Sequence, residues 1–112
     1  MVEVEAVLGA DGLLRSCRAS GHAGAGRRGS DVVCAAVSVL MGTAVRVLSE
    51  RRGVSLRWDA PEPGFLSMEA DCEAEGREFL AAAGEFLVEG LASVAGEFPE
   101  HCRLFVRRTE DG

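Results

Sequence analysis

Two side chains in one short stretch could together make a nucleophile: Cys34 and His22, twelve residues apart. Cys34 stands near the start of a predicted helix, capped by Ser30 or Asp31, which places it in the first helical turn. The positive end of the helix dipole favours thiolate over thiol there. His22 ends the strand before, and Gly24, Gly26 and Gly29 lie in the loop between, so the chain can fold back and bring imidazole to sulfur. An imidazolium beside a thiolate stabilises it further. On this chemistry alone a second reading stays open: a buried helical cysteine and a solvent-exposed loop histidine.

The elements that must position the pair read as follows. Val2, Val4, Ala6 and Leu8 alternate with Glu3 and Glu5 as a half-buried strand. Gly9–Gly12 is a tight turn carrying the Asp-Gly hairpin signal, and a second strand runs from about Leu13 to Ala19, its inward face unclear. The helix after the glycine loop shows Val33, Val37, Leu40, Met41, Ala44, Val47 and Leu48 at helical spacing, and closes with Arg51-Arg52 before Gly53. Val54, Leu56 and Trp58 form a third strand, Asp59–Gly64 a turn, and Leu66–Asp71 a fourth strand paired to the third as a hairpin. A second helix spans about Glu75 to Phe98, its apolar face drawn from Phe79, Ala83, Phe86, Leu87, Gly90 and Val94. Gly84 and Gly90 weaken it by roughly 1 kcal/mol each and leave room for close packing. Cys102–Arg108 is a final strand, and Thr109–Gly112 a frayed tail. The order ββαββαβ predicts an α+β fold, one domain over 1–112, with two helices on an antiparallel or mixed sheet.

Gly24-x-Gly26-x-x-Gly29 also matches the dinucleotide fingerprint, with Glu50 about 20 residues on. That reading is rejected. The fingerprint requires a parallel βαβ unit, whereas this helix leads into a hairpin, and Asp31 at its N-terminus would repel a pyrophosphate.

Composition narrows the classes. The 112 residues fit one domain, and 47% hydrophobic content excludes disorder. No apolar run approaches the ~20 residues of a membrane span, and the acidic start is unlike a secretion signal, so a cytoplasmic location with no membrane partner is expected. All twelve basic residues are arginine. Residues 1–58 carry +3 and residues 59–112 carry −9, which argues against a nucleic-acid surface; the acidic half reads first as a solvated helix face and alternatively as an attractor of a basic protein partner. Free thiols are expected at Cys17, Cys34, Cys72 and Cys102; with no close ligand pairs, neither metal nor cofactor is expected, and His101 reads as a surface residue.

Gly21-His22-Ala23, then Gly29, then Asp31-Val32-Val33-Cys34-Ala35-Ala36-Val37-Ser38 closely resembles the signature of the ribosomal-processing cysteine protease (Prp) family: G-H-A, a short glycine-containing loop, then G-x-D-[IV]-V-C-A-x-x-S. The coarse element order fits along nearly the whole chain. The resemblance implies an α+β fold, a homodimer, and removal of a short N-terminal extension from the twenty-seventh protein of the large ribosomal subunit. Cys34 would be the nucleophile and His22 the base, with Asp31 and Ser38 at motif positions of less certain role. Gly21, Ala23, Gly24, Gly26 and Gly29 would belong to the mobile loop that covers the substrate. Many members carry an aromatic residue near position 25, where this chain has Ala25, which bears on cleavage specificity and not on the pair.

The chemistry is then acyl transfer through a thioester, with free N–H groups of the first helical turn as oxyanion donors. Asp31 either orients His22 or caps the helix. Ser38, one turn after Cys34, either bonds the loop or substrate, or bonds its own helix. Glu78, Glu85 or Glu89 would hold the basic part of the substrate. Two rivals remain: a binding factor for ribosomal protein that does not cut, and a thiol redox sensor, which needs a resolving cysteine that no sequence neighbour supplies but that Cys17 or Cys72 could supply in space.

Overall fold

Alternating apolar residues build five strands, and two long amphipathic segments build the helices that cover one face of the sheet. In the computed structural model, which describes residues 1–21 and 30–110 apart from the side chains of Ser30 and Asp31, the order is β1 (Val2–Leu8), β2 (Leu14–Ser20), α1 (Ser30–Ser49), β3 (Val54–Asp59), β4 (Phe65–Cys72), a single 3₁₀ turn at Ala74–Gly76, α2 (Arg77–Glu97) and β5 (Cys102–Arg108). The expected α+β order holds.

The sheet runs β3-β4-β2-β1-β5. Neighbours pair antiparallel except β1 and β5, which lie parallel with Val2 opposite Cys102. The sheet is therefore mixed. β2 and β3 run parallel with β4 between them, so α1 is the crossover of a split βαβ unit. A mononucleotide-binding unit has no strand inserted there. The hairpin expectation for β3 and β4 holds, with Val54 opposite Cys72 and Asp59 opposite Ser67.

The β1–β2 connection differs from the two-residue turn that Asp-Gly suggests. Gly12 N–H bonds the Gly9 carbonyl at 2.9 Å and Gly9 N–H the Leu13 carbonyl at 2.8 Å, closing a three-residue loop. Asp11 staples it: its carboxylate accepts from Leu13 N–H at 3.0 Å and pairs with Arg15 at 2.9 Å and Arg77 at 3.5 Å. The Leu13 bond above all holds its carboxyl below the usual range; desolvation opposes it, and Arg15 and then Arg77 add to the lowering.

The core lies between sheet and helices. β1 contributes Val2, Val4 and Ala6, β2 Cys17 and Ala19, and β4 Met68 and Ala70. The inward face of β2 is hard to read from sequence because its buried apolar members, Leu14, Cys17 and Ala19, do not keep a strict period of two. α1 buries Val33, Val37, Met41, Ala44, Val45 and Leu48; Val47, assigned to this stripe from spacing, is exposed and Val45 takes its place. α2 buries Leu80, Gly84, Leu87 and Leu91, while Phe86 is 75% exposed, correcting its assignment to the apolar face. The glycines do permit close packing: a Cβ on Gly84 would stand 3.0 Å from Leu14 Cβ, and one on Gly90 3.0 Å from Leu40 Cδ2. Arg51 stacks 4.2 Å over the Phe79 ring at the end of α1.

One expectation needs correcting on composition. Val32–Ser49 and Ala74–Glu97 are long and apolar enough to cross a membrane by length and hydropathy alone. Each lays one stripe on the sheet, as core helices do.

Candidate active site

The strand directions bring four segments to one end of the sheet: the start of β1, the end of β2, the start of α1, and the β3–β4 turn. A cavity of about 320 Å³ opens between them. Cys34, Val37, Ser38 and Met41 line it from α1. Val2, Ala19, Ser20 and Gly21 line it from β1 and β2. Ala60, Glu62, Pro63, Gly64, Phe65 and Leu66 close it from the turn and β4.

α1 begins at Ser30, so Cys34 is the fifth helical residue, one position beyond the first turn expected from sequence. At 1.5 Å per residue its backbone lies roughly 6 Å in from the positive end of the dipole. The unbonded N–H groups belong to the residues just ahead of it. Ser38 follows one turn on, exposed and on the cavity wall. Its hydroxyl makes no hydrogen bond among the described residues, unlike Ser49 and Ser93, which bond the carbonyls four residues back at 2.6 and 3.0 Å. The reading of Ser38 as a serine bonded to its own helix is therefore set aside.

Gly21 fixes where the chain leaves β2. Its N–H donates to the Gly64 carbonyl at 3.1 Å. Its φ is +122°, and a Cβ there would overlap the Met1 carbonyl oxygen. His22, Ala23, Gly24, Gly26 and Gly29 lie outside the described residues, as does the side chain of Asp31; the pairing of His22 with Cys34 and the two roles of Asp31 fall there too.

The four thiols sort by environment. All are free. Cys17 is fully buried, and desolvation pushes its pKa up to about 12. Cys102 is buried at the start of β5, its pKa raised by desolvation and then by the charge of Cys34. Cys72 ends β4, at the opposite end of the sheet from the cavity. Cys34 alone lines it. The thiol coupled electrostatically to Cys34 is thus Cys102, the partner of Val2 across the β1–β5 pair, rather than Cys17 or Cys72, the two named from sequence as candidate resolving cysteines. The short-range sequence signal was absent because 68 residues separate the two cysteines.

Glu78, Glu85 and Glu89 come together on one face of α2 and line a groove with Leu8, Leu13, Leu14 and Val88. That groove lies beside the β1–β2 loop, at the end of the sheet away from Cys34.

The model of the family described as Cysteine protease Prp matches residues 1–103. The chain belongs to that family. It is a cysteine protease. No curated protein matches the chain. Among solved structures, SMU.848 from Streptococcus mutans is 27% identical with a TM-score of 0.78, covering 97% of this chain and 96% of that one. Two structures of the essential ribosomal processing protease Prp from S. aureus share the fold at 18% identity. One, with a covalently linked product peptide, has a TM-score of 0.79; the other, with a substrate peptide, 0.81; each covers 96% of this chain and 100% of its own.

Proposed function

We propose that this protease removes the N-terminal extension of the twenty-seventh large-subunit ribosomal protein, using Cys34 as nucleophile and His22 as general acid and base. The observation that carries the reading is the cavity: Cys34 is the one thiol on its wall, with the helix dipole behind it and the residue before His22 pinned at its rim. The S. aureus protease of the same fold is seen with a covalently linked product peptide.

Cys34 Sγ attacks the scissile carbonyl carbon, and the C–N bond breaks as His22 gives a proton to the leaving amine. A thioester remains. Water, deprotonated by His22, attacks it and releases the new C-terminus and the thiolate. The tetrahedral oxyanion takes N–H groups of the first turn of α1, each such donor worth about 3 kcal/mol in comparable sites. Asp31 caps the helix, and no metal or cofactor takes part.

The enzyme acts in the cytoplasm, as a homodimer, with no nucleic-acid or membrane partner. Support for the dimer is the helix layer, whose outer face exposes Val32, Val39, Val47 and Phe86. The test of the activity is a peptide spanning the host's own extension, incubated with wild type, Cys34→Ala and His22→Ala and read by mass spectrometry. A single cut, lost in both variants, is expected. A wild type that leaves the peptide whole, or a His22→Ala that cuts at full rate, ends the proposal.

A further inference from the structure

Among the described residues the wall of the Cys34 cavity is apolar or hydroxyl-bearing except at one point. Glu62, on the β3–β4 turn, is the only titratable residue besides Cys34 among the described residues that line it. Its place is built into the backbone. Phe65 N–H bonds the Glu62 carbonyl at 3.2 Å, Pro63 stands at the second position and Gly64 at the third with φ +84°. That is a type II turn, with proline and glycine where the type demands them. The Gly64 carbonyl in turn accepts the Gly21 N–H, tying the turn to the rim from which the chain continues to His22. The backbone of Glu62 is therefore held at the cleft on a stiff support, and little backbone freedom is lost when its side chain meets a ligand.

The Glu62 carboxylate has no hydrogen-bond or ion-pair partner among the described residues. An ionised carboxylate only accepts hydrogen bonds, and it does so best from a cation. A cavity of this size is spanned by about three extended residues, at roughly 3.3 Å each.

We propose that Glu62 is a specificity-determining residue: it selects peptides that carry an arginine or lysine side chain within about three residues of the bond cut by Cys34. The inference rests on the reading of Cys34 as nucleophile and deepens it by naming a cationic subsite beside the apolar cleft. The chain's net charge of −6 adds a weaker, longer-range pull on the same peptides.

The test is a mixture of synthetic twelve-residue peptides, varied one position at a time around the cleaved bond, with cut products read by mass spectrometry for wild type, Glu62→Gln, Glu62→Arg and a Cys34→Ala blank. Wild type is expected to favour Arg or Lys over Glu by about fivefold in kcat/KM at one position, carried by KM. Glu62→Gln abolishes the preference, Glu62→Arg reverses it, and 0.5 M salt shrinks it for wild type. Glu62 is exposed, so both variants keep their fold, checked by thermal melting. A wild type that cuts well with no basic preference, or a Glu62→Arg profile equal to wild type, overturns the subsite and leaves the protease reading standing. No cutting beyond the Cys34→Ala blank by any form overturns both.

Discussion

Gly21 donates its N–H to the Gly64 carbonyl at 3.1 Å, and this one bond ties the exit of β2 to the turn that walls the cavity. Neither partner in the arrangement tolerates a side chain at Gly21: the φ of +122° disfavours one, and the Met1 carbonyl occupies its space. Gly21→Ala should cost about 1–3 kcal/mol, lowering the melting temperature by roughly 4 °C or more. It should also move His22, so kcat at a temperature where the variant is folded should fall at least about tenfold. Full activity in a destabilised variant would reduce Gly21 to a structural role.

The thiols should react in an order set by their surroundings. Iodoacetamide at neutral pH should label Cys34 first, Cys72 more slowly, and Cys17 and Cys102 only on unfolding, because burial keeps the last two protonated and out of reach. Peptide mapping after brief labelling gives the order. A Cys34–Cys102 disulfide found as the main product of peroxide treatment would instead favour the redox reading.

Cys17 also gives the alkaline limb of stability a sign. Its folded pKa, about 12, is raised above the ordinary value of 9.0 by burial. The stabilisation is whole below pH 9 and is lost as pH rises towards 12, because the unfolded state releases the proton first. The slope contributed is at most about 1.4 kcal/mol per pH unit. Melting curves from pH 8 to 11 should fall less steeply for Cys17→Ala than for wild type, measured relative to each protein's own value at pH 8.

Ser38 shares the cavity wall with Cys34 and leaves its hydroxyl unbonded among the described residues. Ser38→Ala should therefore leave the melting temperature within about 1 °C, as a surface change does. It should lower kcat/KM by about three- to tenfold if the hydroxyl holds the substrate. Unchanged kinetics would make Ser38 a bystander.

Much of this arrangement is legible in the residue pattern, and most of what is not depends on strand order. Period-two alternation places β1, β3 and β4, and the motif around Cys34 marks the cavity before any fold is known. The signal is local, and so are those elements. Strand order is not local. Nothing near Cys102 announces that β5 will lie parallel to β1, although that pairing sets Cys102 near Cys34. The same holds for β4, which inserts between β2 and β3 and makes α1 the crossover of a split unit. Phe86 misleads for a different reason: its spacing with Phe79 and Gly90 describes a plausible stripe, and the sheet instead takes Leu80, Leu87 and Leu91, with Gly84 seated on Leu14. In the sequence Glu62 is one acid of a polar turn; its meaning depends on Gly21 and Gly64 meeting across 43 residues.

Glu78, Glu85 and Glu89 separate two kinds of substrate. They line one groove with an apolar floor, but at the end of the sheet opposite Cys34, so a short peptide in the cavity does not reach them. The triple change to lysine shifts the chain's charge by six units, from −6 to 0. For a peptide restricted to the cleaved segment, KM at 0.15 M salt should change less than about twofold, since at that distance charge is largely screened. For the whole basic ribosomal protein, KM should rise several-fold with kcat little changed, and the rise should disappear at high salt. Equal effects on both substrates would mean that net charge alone acts. No effect on either would remove these three residues from substrate binding.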